Sequence, residues 1–549
     1  MTIPVISVFD SKDVMTKYNY ENMRFLIVDN IKPSQEILKQ FVMGLTTKQV
    51  DSTHYAQDVA SICQQRSYDV IFLGYDLGDN QKNGQQILEE LRVNGYINRH
   101  CIVILITAEM SQAMVLAALE HKPDHYLCKP YTLSELEKRL NSCLHKKMAM
   151  TSIYQALDDN DPQLVINHCK HALSIDTPYK TECLGILARQ YFELDKFDLA
   201  KRIYLAHQHT ANCQWATIGL GKLALHEKKL SQAEKLFKLL IKDYPLYLSS
   251  YDWLAVTYEE QFHHILAEEI LEQALLLSPR SLTRLKKYAH LCFHNERFDK
   301  ATTAYERNYN LAQNSIHHCA DNTIKYVQAL IEYAPSLPLV DAKKINNKAF
   351  SFLKQMARDF KDSDIKVQSH FLAACLFAIT KERQLANDEI KRGERILTIE
   401  HGNIESSKLN DISLTLKKLN RNDLATKILI TRESSEQTQV TGNIEIQHFT
   451  MKDRAQADIE EGLALYTQKK YHQATLKLQD ASTMFPKHIG IKLNLTQILL
   501  AAYDQDNQTV KGLNKAKALL LELTRLDLNN NELERLKKMQ KKYQLIAGI

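Results

Sequence analysis

The stretch Phe25-Leu26-Ile27-Val28-Asp29-Asn30 is a short apolar run that ends in two polar residues. Similar apolar runs lie at residues 70–73 and 102–106, and segments with helical periodicity separate them. Continuous apolar runs between helices are typical of strands that are buried on both faces, which indicates a parallel sheet with helical crossovers. Ligand sites in such sheets form at the carboxyl ends of the strands. The polar residues that follow each run are therefore the candidate site.

A set of motifs occurs in order at the ends of the predicted strands. They are Val28-Asp29-Asn30 after the first strand, Tyr75-Asp76-Leu77-Gly78 after the third, Thr107-Ala108 after the fourth, and Tyr126-Leu127-Cys128-Lys129-Pro130 at the fifth. This order resembles the receiver domain of two-component response regulators, and Lys129-Pro130 is its most specific part. The resemblance implies an α/β fold, a flavodoxin-like doubly wound parallel sheet, over residues 23–146.

The resemblance also implies a phosphorylation pocket with an acceptor carboxylate, acidic residues that hold Mg²⁺, a hydroxyl group and a lysine. Its positions in this chain are Asp29, Asn30, Gly74, Asp76, Thr107, Tyr126 and Lys129. The alignment places Gly74 at the acceptor position, and glycine has no carboxylate to phosphorylate. Asn30 supplies a neutral oxygen where a hard dication prefers a charged one. We therefore expect a receiver that is not phosphorylated in the usual way, with weak Mg²⁺ binding at most and no other cofactor.

A second alignment makes Asp76 the acceptor, because its separation from Gly84 matches the spacing between acceptor and glycine in many receivers. It would place Gly74 and Tyr75 inside the buried strand and lengthen that strand beyond its partners. The Gly74 register is preferred, and the Asp76 register stays open as an alternative. In the preferred register, a carboxylate at Asp29 beside Lys129 predicts a direct ion pair when no metal is bound.

A repeat with a period near 34 residues follows the predicted receiver. Ala200, Ala233, Ala267 and Ala301 are spaced 33, 34 and 34 residues apart. The pattern is similar to the tetratricopeptide repeat, in which a small residue lets two antiparallel helices approach closely. The resemblance implies an all-α superhelical solenoid. The predicted organisation is an N-terminal extension at 1–22, the receiver at 23–146, repeats at 147–330, an irregular break at 331–365 and further repeats at 366–549, with a polar loop at 433–443.

Such arrays usually bind other proteins on an extended concave face. In the family the first helix of each pair lines the groove, and this nominates Arg189, Lys222, Glu259 and Lys286 as partner-binding residues. The receiver face that docks a histidine kinase in the family corresponds to a first helix at about residues 34–45 and the Lys129-Pro130 loop. Ile37 and Phe41 lie on that helix and are positions to alter on the condition that they face outward. The expected partners are proteins such as a sensor histidine kinase or another response regulator, with a general scaffold outside phosphorelay as an alternative.

Composition and motifs argue against several other classes of protein. The formal net charge of +5 is too small for a protein whose whole surface binds nucleic acid. The ten cysteines include no Cys-x-x-Cys pair, and the apolar runs are far shorter than the roughly 18 residues that span a membrane. No nucleotide-binding or hydrolase motif is present, and His121, His125 and Cys128 lack a fourth metal ligand. We therefore expect a cytoplasmic protein with no catalytic residues, no metal site, no membrane insertion and no nucleic-acid partner.

Overall fold

A computed structural model describes residues 20–78, 81–109, 111–400, 406–425, 451–468, 470–484, 489–506, 510–524 and 530–547. As far as they are described, the residues form two compact units. The first unit comprises the chain up to Tyr258 together with Leu266–His290 and Phe298–Thr426. The second comprises Glu259–Ile265, Leu291–Arg297 and the chain from Lys427 onward. The loop predicted at 433–443 and most of the predicted extension at 1–22 lie outside the described residues.

The first unit begins with a five-stranded parallel sheet whose strand order is β2-β1-β3-β4-β5. The strands are β1 (Phe25–Val28), β2 (Val50–Thr53), β3 (Val70–Gly74), β4 (Ile102–Thr107) and β5 (His125–Cys128). The helices between and after them are α1 (Lys32–Gly44), α2 (Asp58–Gln65), α3 (Gly84–Val93), α4 (Gln112–Glu120) and α5 (Leu133–Ala149).

Both faces of this sheet are buried, as the apolar runs predict. On one face, Leu26 and Val28 join the core that includes residues of α2, α3 and α4. On the other face, Phe25 and Ile27 join the core formed with α1 and α5. The predicted α/β class is therefore confirmed, and the carboxyl ends of β1, β3, β4 and β5 lie along one edge of the sheet.

Helices make up the rest of the described chain. From residue 151 to residue 418 they are α6 (Thr151–Asp158), α7 (Pro162–Ser174), α8 (Lys180–Glu193), α9 (Phe197–His207), α10 (Gln214–His226), α11 (Leu230–Asp243), α12 (Ser249–Glu260), α13 (His264–Leu277), α14 (Leu282–His294), α15 (Phe298–Ala312), α16 (Ala320–Tyr333), α17 (Leu339–Asp359), α18 (Ser363–Ile379), α19 (Arg383–Glu400) and α20 (Ser406–Lys418). In the second unit they are α21 (Met451–Thr467), α22 (Tyr471–Met484), α23 (Ile489–Asp506), α24 (Val510–Leu523) and α25 (Asn530–Ala547).

Small residues allow close helix packing in the first unit. Consecutive helices pack against each other from α6 to α11 and from α15 to α19. The alanines that mark the period, Ala200, Ala233, Ala267 and Ala301, are all fully buried. This agrees with a helical solenoid, because a small side chain at a contact lets two helix backbones come close together.

The segment 331–365, predicted to be irregular, is mostly helical. It contains a 3₁₀ turn at Ala334–Ser336 and the long helix α17. Pro335 lies in the turn and Pro338 directly precedes α17. Proline is well tolerated at the start of a helix, because a backbone amide there makes no hydrogen bond within the helix. These prolines therefore begin a helix and do not break one. No helix among the described residues is long and apolar enough to cross a membrane.

Candidate functional site

The candidate pocket lies where β1, β3, β4 and β5 end. Gly74 is the last residue of β3 and pairs with Ile106 of β4. Thr107 ends β4, and its carbonyl oxygen accepts a hydrogen bond from the Lys129 amide at 2.7 Å. Asp29 directly follows β1. The register of the sheet therefore brings Asp29, Gly74, Thr107 and Lys129 to the same edge.

The Asp29 carboxylate is bound on both oxygens by groups of the chain itself. Lys129 Nζ lies 2.8 Å from Oδ2, and Ser34 Oγ donates to the same oxygen at 2.7 Å. The other oxygen accepts from the Ile31 amide at 2.9 Å. Asp29 is only 2% exposed, so the ion pair with Lys129 is largely shielded from water. The lysine thus already neutralises a carboxylate of the pocket.

The space at Gly74 is too small for a side chain without movement of its surroundings. A Cβ atom at this position would lie 3.0 Å from the Val28 carbonyl oxygen and 3.1 Å from Leu77 Cδ2. The Gly74 carbonyl is itself enclosed, because a Cβ on Gly84 would lie 2.4 Å from its oxygen. A side chain at position 74 would therefore need small shifts of β1 and of Leu77, whereas the close approach of α3 to the Gly74 carbonyl restricts position 84.

Asp76 lies outside this cluster, on an exposed turn. Its Oδ1 accepts a hydrogen bond from the Gly78 amide at 3.1 Å, and Gly78 has a φ of +111°. A positive φ of this size favours glycine, so the turn after β3 is fixed by Gly78. Asn30 also approaches this turn, since its Nδ2 lies 3.7 Å from the position that a Cβ on Gly78 would take. The Asp76 carboxylate is thus engaged with its own turn, and Lys129 with Asp29.

Thr107 and Tyr126 both bind the loop after β4. The Thr107 hydroxyl accepts from the Glu109 amide at 3.1 Å, and the Tyr126 hydroxyl donates to the Glu109 carbonyl at 2.9 Å. Burial raises the pKa of Tyr126 above its ordinary value. The phenol is therefore protonated and acts as a hydrogen-bond donor near neutral pH.

The arrangement does not fit a divalent cation. Among the described residues, no group of three or more His, Cys, Asp and Glu side chains is placed to hold a metal ion. In the pocket, the Asp29 carboxylate is paired with Lys129, and Asn30 offers only a neutral oxygen. The residues considered at the sequence level as zinc ligands have other neighbours: His121 Nδ1 lies 3.9 Å from Glu89, and Arg139 donates to His125 Nε2 at 2.9 Å.

The predicted partner-binding residues have different surroundings. Arg189 on α8 and Lys122 of the sheet domain lie near Lys222 on α10. Burial and the positive charges of Arg189 and Lys122 lower the pKa of Lys222. Lys222 Nζ also lies 4.3 Å from the centre of the Trp253 ring. Lys286 on α14 forms an ion pair with an aspartate on α16 at 3.0 Å. Glu259 belongs to the second unit.

The helix α1, predicted to dock a kinase, is only partly accessible at the positions named for it. Ile37 is 50% exposed, whereas Phe41 is 8% exposed and packs in the core beside Phe72. Ile37 therefore meets the condition of facing outward and Phe41 does not, because the Phe41 ring fills the space between α1 and the sheet. Ile31 and Met43 are the other exposed apolar side chains here.

A contact between the sheet domain and the helical array was not predicted from the sequence. Arg280 Nη1 donates to the Tyr75 hydroxyl at 3.1 Å, and Arg284 Nη1 donates to Glu120 at 2.9 Å. His317 Nε2 donates to Glu89 at 2.8 Å. These partners are 164 to 228 residues apart in the chain. No motif or period connects residues at such separations, so no signal in a single sequence could have found them.

Comparison with known proteins supports the geometry of the sheet domain. Residues 25–141 match the family model of the response regulator receiver domain. This segment is a receiver domain. The chain is 21% identical over 126 residues to the chemotaxis protein CheY-3 of Vibrio cholerae, and the match covers 23% of this chain and 95% of that protein.

Solved structures show a similar level of sequence identity to this chain. A two-component response regulator from Clostridium difficile is 24% identical, with 22% of this chain and 96% of that chain covered and a TM-score of 0.20. A receiver domain from Methylobacillus flagellatus is 23% identical, with 22% and 98% covered and a TM-score of 0.19. Each of these matches covers less than a quarter of this chain.

Proposed function

We propose that this protein is a two-component signalling adaptor, in which the receiver domain is not phosphorylated and the helical array binds another protein. The observation that carries the proposal is the ion pair between Lys129 Nζ and Asp29 Oδ2 at 2.8 Å, beside Gly74 at the end of β3. In receiver domains the lysine neutralises a phosphoryl group, and here a carboxylate of the chain takes that place. The pocket is thereby held in one state without phosphate.

The array supplies the partner-binding surface in this proposal. The period near 34 residues and the buried alanines at its helix contacts support tetratricopeptide-type repeats. Such repeats stack neighbour on neighbour and leave an extended face for a protein ligand. The proposed partners are a sensor histidine kinase or another response regulator, whose phosphotransfer the adaptor modulates in the cytoplasm. The proposal gives the chain no catalytic activity of its own and weak Mg²⁺ binding at most.

The first test is phosphorylation of the purified full chain by acetyl phosphate with Mg²⁺. We expect no base-labile phosphate, since Gly74 has no carboxylate and Lys129 is paired. Asp76→Asn is the diagnostic variant, because Asp76 is the acceptor in the alternative register. Phosphate uptake that Asp76→Asn abolishes would contradict the proposal and make the protein a phosphorylatable regulator whose array is its output.

The second test is phosphotransfer from a sensor kinase of the same cell to its genuine regulator. We expect the rate to fall as the full chain is added, while the chain itself stays unlabelled. In this proposal the kinase also docks on α1 of the receiver, so Ile37→Glu on the exposed side of that helix should weaken the inhibition. Val93→Glu, at an exposed apolar position on α3, is the matched control and should leave it unchanged. If no kinase that binds the protein is slowed, a general scaffold becomes the better account.

A further inference from the structure

The first unit contains a polar contact in which acidic groups of the receiver meet basic groups of the array. We call the two sides the receiver patch (Tyr75, Gln86, Glu89 and Glu120) and the array patch (Arg280, Arg284 and His317). The receiver patch lies on the loop after β3 and on α3 and α4, whereas the array patch lies on and around α14 and before α16. This face of the receiver is different from the pocket and from the exposed side of α1.

Arg284 is the centre of the array patch. Its Nε and Nη2 atoms donate to both oxygens of Asp252 at 2.8 and 2.9 Å, and its Nη1 donates to Glu120 of the receiver at 2.9 Å. The side chain is only 4% exposed. Asp252 therefore fixes the orientation of the planar guanidinium group, and the remaining nitrogen, Nη1, faces the carboxylate of Glu120. The array presents a preorganised cation to the receiver.

Three other polar contacts join the receiver to the array. His317 donates to Glu89, and Arg280 donates to the hydroxyl of the buried Tyr75. Gln86 is held by the capping box at the start of α3, and its amide donates to the carbonyl oxygen of Leu311 at 3.1 Å. Complementary charges of this kind select the partner and fix its orientation, whereas the receiver patch contributes few apolar groups.

The receiver is also attached to the array by covalent connection. Only Met150 separates α5 from α6, and Lys146 of α5 forms an ion pair with Glu182 of α8 at 2.7 Å. The local concentration of the receiver patch near the array patch is consequently high, so modest individual contacts are enough to keep it seated. A second protein would have to compete against this intramolecular contact.

We propose that the array patch is a docking site for the α3–α4 face of receiver domains, and that the chain's own receiver fills it until a receiver domain of a second protein displaces it. The competing receiver would carry carboxylates at the positions of Glu89 and Glu120. The choice of another response regulator as partner rests on the proposed function, whereas the docking chemistry rests on the contacts described above.

Two complementary full-length variants test this docking without a known partner. The receiver variant carries Glu89→Lys and Glu120→Lys, and the array variant carries Arg284→Glu and His317→Glu together with Asp252→Arg. Asp252→Arg is included so that positions 252 and 284 still form an ion pair within the array. In each variant the two patches repel each other within the chain. When the variants are mixed, the intact array patch of one chain faces the intact receiver patch of the other, and the two altered patches also attract.

We expect an affinity-tagged receiver variant to retain the array variant but neither itself nor the wild type. Hydrogen exchange at the amides of α3 and α4 should be faster in each variant than in the wild type. A single chain that carries all the substitutions should exchange as slowly as the wild type, which also checks that the substituted residues allow folding. A chain with Glu36→Lys and Glu137→Lys, at exposed positions on α1 and α5, is the matched charge control and should neither open nor associate.

Two results would overturn the proposal. Unchanged hydrogen exchange in both variants would mean that these contacts do not hold the receiver on the array. Faster exchange without association of the mixed variants would mean that the array patch accepts a receiver only within its own chain. Neither readout involves phosphotransfer, so failure of the proposed signalling function would not be mistaken for failure of the docking site.

Discussion

Replacement of Gly221 by alanine should destabilise the array, although alanine is the better helix former. Gly221 lies in α10, and a Cβ atom there would be 2.3 Å from Cε1 and Cζ of Phe237 in α11. Carbon atoms in good contact are about 3.5–4.0 Å apart, so α11 or the ring must move by more than 1 Å. Phe237 is fully buried and has no room to turn outward. Overpacking costs about 1–3 kcal/mol, and the gain in helix propensity offsets about 1 kcal/mol of it.

The expected net loss is thus about 1 kcal/mol, reaching about 2 kcal/mol if the ring cannot adjust. Urea denaturation followed by tryptophan fluorescence reports on the array, because both tryptophans, Trp215 and Trp253, lie in α10 and α12. Gly185→Ala is the matched control. A Cβ there would meet the Trp215 ring at an ordinary 3.5 Å, so this change should be neutral or stabilising. Phe237→Leu should partly rescue Gly221→Ala. A Gly221→Ala protein as stable as the control would refute the close approach of α10 and α11.

Two further changes test the receiver domain. Lys129→Met should lower the free energy of unfolding of the receiver by about 1–3 kcal/mol, because the buried Asp29 carboxylate loses its cation; urea denaturation followed by circular dichroism measures this, and recovery should follow when Asp29→Asn is added. The free energy of unfolding should also decrease as the pH is lowered below about 6.5. Burial, with a further contribution from Arg139, lowers the pKa of His125 below the ordinary 6.5. The unfolded chain then takes up a proton before the folded chain does, and the loss is at most about 1.4 kcal/mol per pH unit for this group. Melting temperatures across this range should fall less steeply in His125→Gln, and parallel curves would contradict the assignment.

Local sequence patterns predicted the receiver fold well, because the residues of its pocket lie in short motifs at the strand ends. The apolar runs fix which residues are buried, and a parallel sheet then brings their carboxyl ends together. Asp29 and Lys129 are 100 residues apart, yet each directly follows a strand, so their pairing follows from the topology. Gly74 ends β3 and pairs with Ile106 of β4, so its position beside the ends of the other strands also follows from the topology.

The features that the sequence left open, missed or predicted wrongly depended on surroundings that a single sequence does not show. Phe41 occupies a helix position that could point to either side, and the space beside Phe72 decides its orientation. Pro335 and Pro338 suggested a break, but they lie where a helix begins. The contact of Arg284 with Glu120 needs the whole array between them to be placed first, and no local rule reaches that far.

The short connection between α5 and α6 has a consequence for proteolysis. Multidomain proteins are usually cut at exposed linkers. Here the connection is the single residue Met150, which is fully buried and accepts a hydrogen bond from the thiol of Cys183. Because Met150 is flanked directly by the helices α5 and α6, this junction offers a protease no extended linker to bind. Limited digestion should therefore leave the receiver covalently attached to the first helices of the array, and a fragment that starts at Thr151 would lack a core side chain of the array.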